Sequence, residues 1–179
     1  SGLISNQLFA NDLSFTMKNQ EGKTVSAADY QGQHLLIAVG YTTCPDVCPT
    51  TLMEMTMVMN SLDNKAAGLK PIFVSVDPNR DTPEKLKQYV GFFHPNIDAL
   101  VGNAAQTAAI SANLGAAYGY QLNGLPLEGD YPARYEVFHS SYFYLYGPQG
   151  ELVDVFGYGT PPSRMAAAIE PYLSAPKEG

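Results

Sequence analysis

Residues 34–49 read HLLIAVGYTTCPDVCP and join a continuous apolar run to the only two cysteines of the chain. The apolar run, 34–41, is typical of a buried central strand. Cys44 and Cys48 follow at once, and residues 49–62 then carry apolar side chains at helical spacing. This stretch therefore predicts a strand that leads through a short cysteine loop into a helix.

Strands and helices alternate along the rest of the chain. The pattern predicts a hairpin at 13–26, strands at 71–76 and 99–102, helices at 81–93, 104–114 and 161–173, and a late hairpin formed by 138–146 and 152–156. Residues 118–135, rich in Gly, Pro and Tyr, are predicted to form an irregular loop. Because strands that alternate with helices imply crossovers on a parallel sheet, we expect one α/β domain over 1–179. The final hairpin makes its sheet mixed.

Charge and hydropathy exclude several classes of function. The net charge of -7 argues against a nucleic-acid binder, which needs a basic face, and against a surface that attaches to anionic lipid. No run of 18 apolar residues occurs, so no transmembrane helix is predicted within the chain. The sequence starts at Ser1 rather than at a methionine, and we expect an N-terminal membrane anchor to precede it in the whole protein.

Cys44 and Cys48 are the centre of the predicted chemistry. If both lie in the first helical turn, they share one helix face, where unpaired N–H groups and the helix dipole favour thiolate over thiol. Their three intervening residues differ from the two of thioredoxin-type oxidoreductases, but the spacing still permits a disulfide. Two thiolates are too few for a closed structural zinc site and suit copper(I). A redox pair and a soft-metal site are both open, and two buried structural cysteines are the weaker alternative.

A third ligand would complete a three-coordinate copper site, and the three histidines are the candidates. His34 opens the predicted central strand and is expected at the surface or at an edge. His94 lies at a predicted helix end, where a histidine more often supplies a favourable charge than a metal ligand. His139 begins a tyrosine-rich predicted strand, where a structural hydrogen bond is the more common role. The residue pattern alone does not select among them.

A resemblance to a known family selects one histidine. Residues 40–49, GYTTCPDVCP, closely resemble the Sco (SenC/PrrC) family, which is named for synthesis of cytochrome c oxidase. Residues 74–83, VSVDPNRDTP, resemble it too, as does a histidine on a late strand, His139, followed by Ser140 and later by Tyr144. The likeness covers most of the chain, with its motifs in the family's order and spacing.

The resemblance implies a thioredoxin-like fold with an N-terminal hairpin and an inserted late hairpin. It also implies copper, as Cu(I) or Cu(II), bound by Cys44, Cys48 and His139, and it assigns to Asp77 the role of a neighbour that influences the site. Two positions depart from the family pattern. Phe138 stands where an aspartate commonly precedes the histidine, and Gly147-Pro148 stands where Asp-Pro is common in the following turn. Loss of the adjacent carboxylate removes a partner for the imidazole and bears on copper affinity.

The function implied by the resemblance is delivery of copper to the dinuclear copper centre of a respiratory cytochrome oxidase. The alternative is a thiol-disulfide reductase that uses Cys44 and Cys48 to keep the copper-ligand cysteines of the oxidase subunit reduced. A peroxiredoxin-like peroxidase is a weaker third alternative, because the sequence context of its reactive cysteine is absent before Cys44. We expect a monomer on the periplasmic face of a bacterial inner membrane, with the copper-receiving oxidase subunit and a thiol reductant protein as partners.

Four methionines crowd the helix after the cysteines, at Met53, Met55, Met57 and Met59. Residues two apart point to different sides of a helix, so the four form two i,i+4 pairs rather than one stripe. We expect them to fill the core more than to bind Cu(I), and a soft docking surface is the alternative. The tyrosine-rich segment 116–136 is a second candidate for partner docking.

Overall fold

The computed structural model describes residues 12–43 and 48–174, without the side chains of 48, 49 and 174. The helices are α1 (Cys48–Leu62), α2 (Pro83–Val90), α3 (Ala104–Leu114) and α4 (Pro162–Ser174), and Ala27–Tyr30 and Asp63–Gly68 form 3-10 turns. The strands are β1 (Thr16–Asn19), β2 (Thr24–Ser26), β3 (His34–Gly40), β4 (Leu69–Ser75), β5 (Asp98–Val101), β6 (Tyr118–Leu122), β7 (Leu125–Pro126), β8 (Glu136–His139), β9 (Phe143–Tyr146) and β10 (Leu152–Phe156). None of the helices within these ranges is long and apolar enough to cross a membrane.

A seven-stranded mixed sheet forms the centre of the fold, in the order β10-β9-β3-β4-β5-β1-β2. Strands β3, β4 and β5 run parallel, and the N-terminal hairpin and the late β9–β10 hairpin add antiparallel strands at the two sides. A three-stranded sheet, β7-β6-β8, lies beside it. The predicted thioredoxin-like mixed sheet flanked by helices is confirmed.

The apolar run of β3 is continuous because both faces of this strand are covered. Successive side chains of a strand point to opposite faces. Leu36 and Ala38 accordingly belong to one hydrophobic cluster, and Leu35, Ile37 and Val39 belong to the other. All five are nearly or fully buried. The strand therefore has a fixed position in the middle of the sheet, and the cysteine loop begins where it ends.

Local signals set the ends of the helices that follow. Thr82 caps α2 by accepting a hydrogen bond from the Lys85 amide, with Pro83 in the first turn. This helix ends at Val90, three residues before the predicted end. Helix α3 ends as predicted at Gly115, whose φ of 75° lies in the left-handed region that glycine tolerates best.

Two predictions around His139 are wrong. Residues 118–135 are not one irregular loop, because 118–122 and 125–126 form β6 and β7. The turn between them is Asn123-Gly124, with both residues at positive φ, a strong hairpin signal in the sequence. The strand predicted over 138–146 is also two strands, since β8 pairs with β6 while β9 pairs with β3 in the other sheet.

Gly119 is required where β6 passes under the ring of Phe138. The two residues face each other in the β6–β8 pairing, and a Cβ at position 119 would lie 2.2 Å from the Phe138 ring. Real Cβ atoms essentially never approach other atoms so closely. The half-exposed Phe138 is therefore matched by a glycine on the neighbouring strand.

We predict that Gly119→Ala lowers the free energy of unfolding by about 1–2 kcal/mol, because the ring of Phe138 must leave its position. Urea unfolding followed by circular dichroism measures the change. Gly157→Ala is the matched control, since an added Cβ there meets nothing within 4 Å. The double variant Gly119→Ala/Phe138→Ala should recover part of the loss. Equal stability of the Gly119 and Gly157 variants would contradict the prediction.

Candidate metal centre

The carboxyl end of β3 leads towards the two predicted cysteine ligands. Tyr41, Thr42 and Thr43 lead from this strand into the cysteine loop, and Cys48 opens α1. Cys44 lies outside the described residues, and the structure describes only the backbone of Cys48, so a copper site at the two sulfurs stays a prediction. The position of Cys48 at a helix N-terminus is the setting that favours a thiolate.

His139 lies beside the entrance to this loop. Its ring meets the ring of Tyr41 edge-on, with 5.8 Å between the ring centroids and 82° between the planes. Tyr41 is buried and lies three residues before Cys44. The last residue of β8 is thus held against the residue that follows β3, although β8 belongs to the other sheet. The tertiary structure therefore brings His139 to Tyr41, three residues before Cys44 in the sequence.

The other two histidines lie elsewhere. His34 begins β3, so the length of that strand, roughly 20 Å, separates it from the cysteine loop. It lies on an inner strand rather than an edge strand, and its ring packs against Tyr172. The backbone amide of His94 donates to the hydroxyl of Thr56, a residue about 12 Å along the axis of α1 from Cys48. Of the three histidines, His139 is the one in contact with Tyr41, while its role as a ligand stays a prediction.

One hydrogen bond orients the imidazole of His139. Its Nδ1 lies 3.0 Å from the backbone carbonyl oxygen of Ser140. A carbonyl oxygen only accepts, so this contact requires the proton on Nδ1 and places the lone pair on Nε2. Metal-bound histidines commonly have such a partner on their second nitrogen. The Ser140 carbonyl can thus fulfil the role that the missing carboxylate at position 138 would have had.

Backbone contacts hold the chain directly after His139. The Ser140 amide donates to the Ala117 carbonyl at 2.8 Å, and the Ala117 amide donates to the Ser140 hydroxyl at 3.1 Å. This reciprocal pair extends the β6–β8 pairing, in which Tyr118 faces His139. The chain that leads into β6 therefore fixes the end of β8.

Asp77 anchors the small sheet to the end of β4. Its carboxylate is fully buried and accepts hydrogen bonds from Arg80 Nε at 2.6 Å and from the Tyr135 hydroxyl. The Arg80 guanidinium also stacks on the Tyr135 ring, 3.8 Å from its centroid. Burial and the hydrogen bond to Asp77 raise the pKa of Tyr135 above its ordinary value, so its hydroxyl remains a donor. Tyr120 adds a bond of 2.6 Å to the Val76 carbonyl.

Asp81 holds the segment that leads into the cysteines. This buried carboxylate accepts from the backbone amide of Thr42 at 3.2 Å, from the Thr42 hydroxyl, and from the Ser75 hydroxyl at 2.5 Å. Lys85 Nζ lies 3.9 Å from it and donates to the Thr43 hydroxyl at 3.3 Å. The sequence analysis did not identify Asp81 as a site residue. Its presence in the VSVDPNRDTP motif was the available signal.

The methionines divide between the core and the surface. Met55 and Met59 are buried, as predicted for core-filling residues, while Met53 and Met57 are 53% and 48% exposed. The phase of the helix explains the difference, because Leu52 and Leu62 fix the buried face. The prediction of core filling is therefore right for one pair and wrong for the other.

The tyrosines of segment 116–136 pack against one another. Tyr120 contacts the rings of Tyr118, Tyr131 and Tyr135 within 6.0 Å between centroids. Tyr135 is buried, and the other three are partly buried. These side chains stabilise the sheet that carries His139, and docking of a partner on this segment stays a prediction.

A search of the described residues finds no cluster of three or more His, Cys, Asp or Glu side chains placed to bind a metal. The result leaves the predicted set of Cys44, Cys48 and His139 untested, because the sulfurs lie outside the described part of the chain. It does show that Asp77, Asp81 and the three histidines form no second metal site among themselves.

The sequence is similar to proteins of one known family. The SCO1/SenC family model matches residues 5–174. The human protein "SCO1 homolog, mitochondrial" is 35% identical over 161 residues, which cover 89% of this chain and 52% of that protein. The chain thus spans about half the length of this relative.

Two solved structures with copper bound are also similar. Bradyrhizobium japonicum ScoI is 32% identical with a TM-score of 0.77, and the match covers 90% of this chain and 98% of the other. Yeast Sco1 is 27% identical with a TM-score of 0.80, and the match covers 93% and 91% of the two chains.

We predict that Asp81→Asn lowers the free energy of unfolding by about 1–3 kcal/mol, because an amide cannot accept hydrogen bonds from all the donors that now surround the carboxylate. Urea unfolding of the copper-free protein measures the change. Asp130→Asn removes the same charge at an exposed position and serves as the control. If the two variants unfold at the same urea concentration, the hydrogen bonds of Asp81 contribute no net stability.

Proposed function

Because this chain belongs to the SCO1/SenC family, we propose that it binds copper through Cys44, Cys48 and His139 and delivers it to the dinuclear copper centre of a respiratory cytochrome oxidase. The observation that carries the proposal is the contact between His139 and Tyr41, three residues before Cys44. The Sco family is described as a family of cytochrome c oxidase assembly proteins. Similar proteins from Bradyrhizobium japonicum and yeast have copper bound.

The donor set fits copper. Thiolates are soft ligands that favour Cu(I), and an imidazole suits both Cu(I) and Cu(II). With the proton on Nδ1, facing the Ser140 carbonyl, His139 would offer Nε2 to the metal. Copper is the cargo of this protein, so a site with few donors and an approachable position suits both uptake and release.

Two buried carboxylates position the two parts of the proposed site, the cysteine segment and the histidine. Asp81 holds Thr42 and so fixes the approach to Cys44. Asp77 holds Tyr135 and with it the small sheet that presents His139. Asp77 thus influences the predicted copper site through the position of the histidine. We also propose a periplasmic location and an N-terminal tether. Both are inferred from the proposed function and from no feature of the described residues.

A thiol-disulfide reductase is the second candidate function. The observation in its favour is the start of α1 at Cys48, directly after the central strand of a thioredoxin-like fold. The helix dipole there stabilises a thiolate, which is the nucleophile of disulfide exchange. The two functions use the same sulfurs and differ in their need for His139.

We predict that Cys44→Ser and Cys48→Ser each weaken copper binding by on the order of 100-fold or more, because loss of a ligand exceeds the effect of losing a supporting residue. Competition of bound copper against a chelator of known affinity measures this. Ser111→Ala, at a buried position on α3 away from the site, is the control for general damage. Near-normal affinity in either cysteine variant would refute the proposed ligand set.

We predict that oxidation to a Cys44–Cys48 disulfide prevents copper uptake, because a disulfide offers no thiolate. Copper loading is measured by metal analysis before and after treatment with a reductant that is then removed. Equal loading of the oxidised and reduced proteins would contradict the prediction. A strong dependence on reduction would support the expected thiol reductant partner.

We predict that His139→Ala weakens copper retention by about 10–100-fold and changes the rate of disulfide formation with a small oxidant by less than about two-fold, since that rate depends on thiolate character and access. His94→Ala is the matched control, because His94 lies beside Thr56 rather than at the cysteine loop. Unchanged copper retention would make His139 a structural residue. A parallel fall in both measurements would favour the reductase.

A further inference from the structure

A cavity of about 100 Å³ lies between α1 and the segment that joins β8 to β9. Thr50 and Thr51 line it two and three residues after Cys48, and Ser141 lines it two residues after His139. The cavity thus borders both elements that carry the predicted ligands. Its volume suits the end of one long side chain rather than a whole cofactor.

Glu54 gives this cavity its chemical character. It is the only charged residue among the described residues that line the cavity. Its side chain is half-buried, and none of the ion pairs formed within the described ranges includes it. Burial raises the pKa of Glu54 above its ordinary value, as expected where a carboxylate loses water without gaining a cation. A cation that enters the cavity would restore the lost stabilisation.

The rim of the cavity is exposed, and none of the described residues that line it is basic. Tyr158 and Tyr142 line it and are 81% and 47% exposed. Met53 and Met57 neighbour Glu54 on α1 at i−1 and i+3 and are similarly exposed. Aromatic residues and methionine are enriched, and charged residues depleted, at the centres of protein interfaces. The rim therefore has the composition of a protein-binding surface around a single carboxylate.

We propose that the Glu54 cavity receives a basic side chain, lysine or arginine, of the protein that exchanges copper or electrons with Cys44 and Cys48. The cationic end would pair with the Glu54 carboxylate, and its methylene stem would lie along the rings of Tyr142 and Tyr158. The cavity borders α1, which begins with Cys48, and the residues that follow His139. A partner protein held there would bring its own copper-binding residues close to these predicted ligands. The inference deepens the proposed function and depends on it for the identity of the partner.

The test uses short peptides and the isotope-labelled protein. Acetyl-Gly-Lys-Gly-amide and acetyl-Gly-Arg-Gly-amide are titrated in 0.15 M salt, with the Gln and Leu peptides of the same length for comparison. We expect saturable shifts of the backbone amide signals of Thr51, Tyr142 and Gly159, and a dissociation constant about five-fold lower for the basic peptides than for the Gln peptide. An equally strong response to the Leu peptide would show an apolar pocket and overturn the proposal.

Two variants separate the Glu54 cavity from the general negative charge of the protein. Glu54→Gln should abolish the preference for basic peptides, and Glu128→Gln, which removes the same charge at an exposed position, should retain it. Loss of the preference in both variants, its persistence in Glu54→Gln, or shifts confined to another surface would each refute the docking site. Copper loading of the unaltered protein, measured on the same samples, keeps the proposals apart: failure to load copper counts against the proposed function alone.

Discussion

Two buried carboxylates on one turn, Asp77 and Asp81, hold together the parts from which the site is built. The turn follows β4 and is closed by the amides of Arg80 and Asp81, which both donate to the Asp77 carbonyl. A buried charge is stable only when it is paired and hydrogen-bonded. Asp81 meets this need with Thr42, Ser75 and Lys85. The same hydrogen bonds therefore stabilise the turn and hold Thr42, the residue that leads towards the cysteines.

Asp77 is also a buried carboxylate, and its partners lie towards the small sheet. Its partners Arg80 and Tyr135 connect the main sheet to the small sheet, and the Arg80 guanidinium stacks on the Tyr135 ring. Removal of one partner would leave a buried charge unpaired, which costs more than the pair itself contributes. The small sheet cannot move away from the end of β4 without this cost, so His139 stays at the entrance to the cysteine loop.

The sequence predicts those helices and strands whose position is determined by neighbouring residues in the chain. Three elements are set by signals of only a few residues each. They are the apolar run of β3, the threonine and proline at the start of α2, and the glycine after α3. The position of His139 was available only through family resemblance, because it depends on the pairing of Tyr118 with His139. The Asn123-Gly124 pair is a hairpin signal, but the many Gly and Pro residues around it favour the prediction of an irregular loop. The exposed pair Met53 and Met57 also follows from helix phase, once Leu52 and Leu62 define the buried side.

The replacement of the usual aspartate by Phe138 shows which properties of the histidine the fold must preserve. A carboxylate before the histidine would offer a hydrogen-bond partner, and here the Ser140 carbonyl supplies one from the other side. Phe138 instead occupies the space above Gly119, the residue that faces it in the pairing of β8 with β6. The described contacts that position His139, with Tyr41, Ser140 and Tyr118, join protein groups other than the two sulfurs. These contacts hold the histidine in place, and if it binds copper as proposed, less of the binding free energy is spent on ordering it.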